Sequence, residues 1–330
     1  MTSRPPESPE RLGEFELIAK LFAPLARNFP GSFALADDVA LLEPASGREI
    51  VLKTDSVIEG VHFLRGDPAA RVAQKALRRA LSDLAAKSAE PSVYLLALAL
   101  PSWPDMAWLE AFARGLAGDQ AEFGIVLAGG ETNATPGPVT ISVTMMGSIP
   151  KGALIRRNGA RHGDLVFVTG TIGDSGGGLT LLRGQSDDRT DSYLARRYLV
   201  PEPRMAFGQK LRGIANAAID VSDGLTADLG HVADASRVRI EIDAARVPLS
   251  EELRQLWPGA DGVARAATAG DDYEIAFIAP EAKRDSILDA AHTASTRVTE
   301  IGRVVAGEGV ALVDGNGDEI PVARRGYTHF

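Results

Sequence analysis

Cysteine is absent from this chain, which removes disulfides, thiolate zinc sites and cysteine nucleophiles and leaves the redox compartment open. Histidine is scarce: the five residues, at 62, 162, 231, 292 and 329, lie far apart, which argues against a histidine-rich transition-metal centre. Long apolar runs are missing as well. The most apolar stretch, residues 93–100, stops at Pro101, far short of the ~20 residues a membrane-spanning helix needs. The opening MTSRPPESPERLGEF carries prolines and charges without an apolar core, so no secretory signal is expected there. Positive charge is in deficit: 35 Lys and Arg against 44 Asp and Glu give a formal net charge of -9. Such a chain gains nothing from nucleic-acid phosphates. The expectation is a cytoplasmic protein that engages neither nucleic acid nor membrane.

What the chain does have is enough length for two domains. Its 330 residues are 45% hydrophobic and 24% charged, ordinary for a globular protein. Residues 1–12 read as a disordered leader. Apolar spacing predicts a helix over 13–28, weakened by Pro24, a strand over 50–57, a helix over 68–90 ended by Pro91, a strand over 92–100, and a helix over 103–123. A short strand at 125–128 opens into Gly129-Gly130-Glu131-Thr132-Asn133, and residues 139–149 alternate as a strand. The polar, basic segment 150–164 marks a boundary near 150, giving domains over 13–150 and 151–330. The second half repeats the mixture: strands at 165–169, 217–221, 239–242, 274–278 and 298–305, and helices at 176–182, 203–216, 225–235 and 281–294. The fold class is α/β (α+β) in two domains; strand order is not readable.

Six acidic knots sit at the ends or edges of apolar elements: Asp37-Asp38, Thr54-Asp55-Ser56, Asp83, Glu131, Asp220-Val221-Ser222-Asp223-Gly224, and Asp271-Asp272. Each alone has a plain structural reading, as a turn, a solvated helix position or, for Ser222 and Asp223, a helix cap. Jointly they suggest convergence, because unpaired charges at buried ends are costly. The natural partner is a hard cation with oxygen ligands, and Mg²⁺ typically takes a few carboxylates, waters and substrate phosphates.

The glycine-rich segment 170–178 stands between a strand and a helix, where backbone N–H groups can cradle an anion or glycines can simply let the helix pack closely. It is neither a Walker A loop nor a spaced dinucleotide fingerprint. Residues 173–177 also satisfy G-x-S-x-G, the hydrolase nucleophile elbow, but no HGGG-type oxyanion motif accompanies it and the first-half carboxylates would go unused.

Taken together these motifs resemble those of the thiamine-monophosphate kinase family, of the aminoimidazole ribonucleotide synthetase-like superfamily. The resemblance runs from Gly13-Glu14-Phe15 to Gly326-Tyr327-Thr328-His329-Phe330 and rests on Asp37-Asp38-Val39-Ala40-Leu41-Leu42, Thr54-Asp55, Gly60-x-His62-Phe63, Leu81-Ser82-Asp83-Leu84, Gly129-Gly130-Glu131-Thr132, Gly173-Asp174-Ser175, Ile219-Asp220-x-Ser222-Asp223-Gly224 and Gly270-x-Asp272-Tyr273-Glu274. It implies ATP-dependent phosphorylation of thiamine monophosphate to thiamine diphosphate, with several Mg²⁺ ions, two superfamily-type domains and a homodimer paired through the N-terminal sheet. By position it implies metal ligation by Asp38, Thr54, Asp55, Asp83, Glu131, Asp220 and Asp223. ATP would meet Gly130, Glu131, Arg157 and Ser222; the acceptor would meet His62, Asp271, Arg324 and Tyr327. No catalytic general base is implied. The chain departs from the pattern at Ala36, at Lys53 (where a Ser or Thr often precedes Thr54-Asp55), at Glu131 and Asp271 in side-chain length, and at Arg324, where some members carry Trp. Another ATP-dependent enzyme of the superfamily and a non-catalytic ATP-binding dimer are the competing readings.

Overall fold

The computed structural model describes residues 13–37, 39–102, 105–184, 191–322 and 326–327. The expected leader, Asp38 and Arg324 lie outside them. In chain order the elements are α1 (Glu14–Leu17), β1 (Arg48–Ile58), α2 (Ala69–Ala86), β2 (Glu90–Leu100), α3 (Met106–Phe123), β3 (Val126–Ala134), β4 (Thr140–Pro150), β5 (Leu165–Thr169), α4 (Asp174–Arg183), α5 (Tyr193–Leu199), α6 (Met205–Gly208), β6 (Ala217–Asp220), α7 (Leu225–Ser236), β7 (Arg239–Asp243), α8 (Glu251–Leu256), α9 (Gly259–Thr268), β8 (Ile275–Ala279), α10 (Arg284–Thr293), β9 (Val298–Val305) and β10 (Gly309–Val313). The helix expected over 13–28 continues past α1 as a widened turn over Ile18–Phe22 and a tight turn over Ala23–Ala26, the second carrying the proline that lacks a donor.

Among the described residues one sheet has four strands in the order β1-β4-β2-β3, with β2 and β3 parallel. The other has six, in the order β10-β7-β9-β5-β8-β6; β10 and β7 run parallel and the remaining neighbours antiparallel. The chain divides into two units that interleave in sequence. The first takes in the residues up to Pro44, Thr54–Leu77 and Pro91–Met146; the second takes in Ala45–Lys53, Arg78–Glu90 and the chain from Gly147.

In the first unit α2 and α3 approach closely because Gly115 has no side chain: a Cβ there would lie 2.3 Å from the Ala70 carbonyl oxygen. Gln74 Nε2 donates to the buried Asp119 at 3.1 Å, joining the two helices. One sheet face stays open, and on it Thr144 Oγ1 donates to Thr54 Oγ1 (3.1 Å) while the Ser56 and Ser142 hydroxyls pair at 2.7 Å.

The second unit encloses a core of Val166, Val168, Ile219, Leu229, Ile240, Leu253, Ile278 and Ile301. Here the glycines of 170–178 resolve as a packing joint. A Cβ on Gly173 would lie 2.6 Å from the Ala266 Cβ, one on Gly177 2.7 Å from the Leu253 Cδ1, and one on Gly178 2.1 Å from the Leu194 carbonyl oxygen. The N-terminal N–H groups of α4 already have an internal acceptor: Asp272 receives Gly173 N (2.6 Å) and Ser175 N (3.2 Å). Ser175 itself is buried. The geometry therefore speaks against both the phosphate cradle and the nucleophile elbow.

Three expectations shift. The helix over 68–90 ends at Ala86, where Ser88 turns left-handed (φ 62) and Ala89 N reaches back to Leu84 O at 2.9 Å, so β2 starts at Glu90 and runs through Pro91. Gly129–Asn133 belongs to strand β3 rather than to a loop. The helix over 203–216 breaks into α6 and one tight turn, and the chain leaves helical backbone at Arg212 (ψ 125) ahead of Gly213, which is left-handed at φ 70.

Candidate functional site

In the first unit, alternation along β1 sends Thr54 and Asp55 to opposite faces of the sheet. The Thr54 hydroxyl is engaged with Thr144 on the face opposite Asp55. Glu131 is exposed on β3, and it lines a cavity of about 690 Å³ with Asp37, Val39, Gly130 and Thr144. Gly130 is fixed as glycine by the parallel neighbour: a Cβ would lie 2.0 Å from the Leu96 carbonyl oxygen. His62 sits in the tight turn after β1, where its Nδ1 accepts from Ile58 N at 3.1 Å. That bond leaves the neutral ring's proton on Nε2.

In the second unit, β6 delivers Asp220 to its C-terminal end, buried. Burial, followed by the charges of Asp83 and Asp228, pushes the Asp220 carboxyl well above the usual carboxylate range. Asp83, on α2, holds Lys53 Nζ at 2.7 Å from its Oδ2. Lys53, Asp83, Lys87, Arg156, Arg157 and Asn158 line a second cavity, of about 620 Å³. Lys87 donates to the Ala218 carbonyl, and burial with the neighbouring Arg157 charge brings its ammonium down to about 8.

The loop after Asp220 is tied from within. Asp228 Oδ2 accepts the N–H groups of Ser222 (2.9 Å), Asp223 (2.9 Å) and Gly224 (3.2 Å). Burial raises this carboxyl to about 7 despite those donors. Gly224 is the N-cap of α7, and no side chain caps it, so the capping role considered for Ser222 and Asp223 falls to Asp228. Two segments lean on the loop: Asp271 N donates to Ser222 O (2.8 Å), and Tyr327 N donates to Asp223 O (2.9 Å). Asp271 and Tyr273 both adopt left-handed backbone, at φ 68 and φ 54, conformations that cost energy in non-glycine residues and gather at functional sites.

The second unit thus gathers Asp220, Ser222, Asp223, Asp271 and Tyr327 around one loop, with Asp83 near Asp220 and Arg157 in Asp83's cavity. The first brings Gly130 and Glu131 to one cavity wall, with His62 in a separate turn. Sequence reasoning missed Asp228, Lys87 and Arg79, whose Nη1 lies 3.3 Å from Asp271 Oδ1. Asp228 had a signal, an acid in the first turn of a helix behind a run of bare N–H groups; Lys87 and Arg79 had none beyond membership of a long helix.

The donor set suits magnesium in kind. Asp83 and Asp220 offer carboxylate oxygens, and burial followed by the charges of Asp83 and Asp228 disfavours the ionised form of Asp220, which a bound cation would restore. Among the described residues no group of three or more acidic or histidine side chains is arranged to hold an ion by itself. Magnesium ordinarily keeps several waters and takes substrate phosphates beside one or two carboxylates.

Comparison with known proteins gives the same frame. The sequence matches the family described as AIR synthase related protein, its N-terminal domain over residues 36–149 and its C-terminal domain over 161–315. The thiamine-monophosphate kinase of Caulobacter vibrioides is 44% identical over 321 residues, 96% of this chain and 90% of the relative. The crystal structure of thiamine-monophosphate kinase from Stenotrophomonas maltophilia K279a superposes with a TM-score of 0.84 at 37% identity, covering 94% of this chain and 98% of that one. AaThiL complexed with AMPPCP and TMP superposes at 0.76 with 34% identity, covering 97% and 99%. No helix of the described residues is long and apolar enough to cross a membrane. The chain belongs to the AIR synthase related proteins and, within them, to the thiamine-monophosphate kinase family.

Proposed function

We propose that this chain phosphorylates thiamine monophosphate directly from ATP, at a site assisted by several Mg²⁺ ions, giving thiamine diphosphate and ADP. The observation that carries this reading is the full-length likeness to AaThiL complexed with AMPPCP and TMP, at 34% identity. An oxygen of the acceptor phosphate attacks the γ-phosphorus in line, the bond from that phosphorus to the β–γ bridging oxygen breaks, and ADP leaves with the electron pair. The acceptor is a phosphate monoester of charge about -1.5 to -2 at neutral pH, so its oxygen needs no general base.

The obstacle is repulsion between two polyanions, on the order of 4 kcal/mol for each unit-charge pair ~4 Å apart at an effective dielectric near 20. Magnesium, when bound, supplies the charge neutralisation and alignment that offset it. Asp38, Asp55, Asp83, Glu131, Asp220 and Asp223 would hold it through carboxylates and Thr54 through its carbonyl. Gly130, Glu131, Arg157 and Ser222 would orient ATP; His62, Asp271, Arg324 and Tyr327 would orient the acceptor. The division into domains at residue 150 and a cytoplasmic location belong to the same reading. So does a homodimer paired through the four-stranded sheet, supported by the exposed Leu52 and Leu95 on that sheet.

Asp55→Asn and Asp220→Asn should each lower kcat by at least a hundredfold with far-ultraviolet dichroism unchanged. Near-normal turnover in both would remove the proposed ligand set. The Lys53–Asp83 ion pair favours one second reading, an ATP-binding dimer without turnover. Magnesium-dependent ADP release that rises on adding thiamine monophosphate separates the two.

A further inference from the structure

Lys53 stands where a strand and a helix bring opposite charges together. Alternation along β1 puts Val51, Lys53 and Asp55 on one face. Asp83 projects from α2, and its Oδ2 lies 2.7 Å from Lys53 Nζ with both side chains mostly shielded, at 19% and 31% exposure. Asp220 stands close enough for both charges to act on it. A carboxylate at the end of a buried strand and a neighbouring one on a helix repel one another unless a cation stands close by. Here the cation paired with Asp83 is a lysine of the chain itself, and its charge also acts on Asp220.

The surroundings of the ammonium are unlike those of an ordinary surface pair. The cavity it lines, about 620 Å³, also carries Lys87, Arg156 and Arg157, and Asp83 is the one acid among the described residues of its wall. A cavity with that balance attracts anions, and phosphate oxygens above all. A lysine ammonium is a compact charge on a flexible stem, able to change partners by rotation of its side chain without movement of the strand.

We propose that Lys53 is the resident cation of the Asp83–Asp220 pair, that a divalent ion enters this pair only by displacing it, and that the phosphates of an incoming nucleotide take the released ammonium. The inference rests on the reading of Asp83 and Asp220 as metal ligands. Two consequences follow from linkage. Free metal binds weakly because it must break the Lys53–Asp83 contact, and nucleotide strengthens metal binding because it offers Lys53 another partner.

Both are read on the full-length protein by titrating Mn²⁺ and following free Mn²⁺ by electron paramagnetic resonance, with and without saturating ADP. Without nucleotide, Lys53→Met and Lys53→Gln should bind Mn²⁺ at least tenfold more tightly than wild type, and Lys53→Arg should stay within about threefold of it. ADP should strengthen Mn²⁺ binding at least tenfold in wild type and by less than threefold in the two uncharged variants. Unchanged or weaker Mn²⁺ binding in both uncharged variants overturns the resident cation, as does the absence of any Mn²⁺ binding in all four proteins. Equal strengthening by ADP in wild type and the uncharged variants overturns the exchange of partners. Asp83→Asn and Asp220→Asn separate this from the underlying reading. If they bind Mn²⁺ as wild type does, the ligand assignment fails; if they lose it while Lys53→Met matches wild type, the resident cation alone fails.

Discussion

Arg79 and Asp271 form an ion pair between α2 and the segment before β8, with Arg79 Nη1 3.3 Å from Asp271 Oδ1. The Tyr273 hydroxyl donates to the same oxygen at 2.8 Å, and the Arg79 guanidinium lies 5.6 Å from the centre of the Tyr273 ring. Two donors on one oxygen hold the Asp271 side chain in one orientation while its backbone stays left-handed. A hydrogen bond to a charged group contributes about 1.5–3 kcal/mol, less when partly solvated. Arg79→Met should therefore raise KM for the acceptor about tenfold, and Tyr273→Phe about threefold, leaving KM for ATP within twofold. Steady-state kinetics with each substrate varied checks this; an unchanged acceptor KM in both variants would contradict it.

A second prediction concerns the fold under β5 and β8. Glu274 is fully buried, receiving Arg197 Nη2 at 2.7 Å, Arg204 Nη2 at 2.6 Å and the Thr169 hydroxyl at 2.6 Å. Burial alone would raise its carboxyl, but Arg204 and then Arg197 overcome that and hold it below the usual value of 4.5. The folded state thus binds the proton less readily than the unfolded chain. The resulting stability is fully present above pH 4.5 and is lost as pH falls through the lower folded value. Glu274→Gln leaves the buried Arg197 and the part-buried Arg204 with the exposed Glu202 as their remaining counter-charge and should cost about 3–5 kcal/mol. Urea unfolding near pH 7 and again below pH 4 should show a gap between wild type and variant that narrows in acid.

A third prediction tests the packing joint. Gly178 has ordinary helical backbone, yet a Cβ would lie 2.1 Å from the Leu194 carbonyl oxygen. Gly178→Ala should cost about 1–3 kcal/mol by overpacking, lowering Tm by several degrees while KM for ATP stays put. A large rise in that KM with Tm unchanged would restore the phosphate-cradle interpretation of the loop.

The loop after β6 supplies a fourth. Asp228 satisfies three backbone donors, and Asp228→Ala leaves them bare. It should destabilise the chain by about 2 kcal/mol or more and depress kcat, whereas Asp228→Asn, which keeps one acceptor oxygen, should recover most of the stability. Equal melting temperatures for the two variants would contradict this role.

Much of the fold was legible because the apolar periodicity of its long elements is strong. The strand at 298–305 and the cores of α2, α3 and α7 follow from spacing alone. What stayed hidden depends on tertiary contact. Helices α5, α8 and α9 are short, and the alanine-rich α9 has little to set it apart before it packs. Pro91 reads as a terminator, but the left-handed turn at Ser88 had already ended the helix. At the candidate site, the acidic knots announced themselves by position at element ends. Nothing along the chain announced that Lys53 would meet Asp83 or that Arg79 would meet Asp271, and the one signal for Asp228, an acid in α7's first turn, did not say that it would take three N–H groups of the loop before it. Each joins elements, or a helix and the loop before it, through side-chain reach.

The central claim is phosphoryl transfer onto a phosphate. The measurement that tests it most directly mixes the purified chain with γ-³²P-labelled ATP, Mg²⁺ and thiamine monophosphate, then separates the products. The account predicts label in thiamine diphosphate, one equivalent for each ADP formed, and none when Mg²⁺ is chelated. Label appearing only as inorganic phosphate, or thiamine diphosphate forming at the same rate in Asp220→Asn, would contradict it.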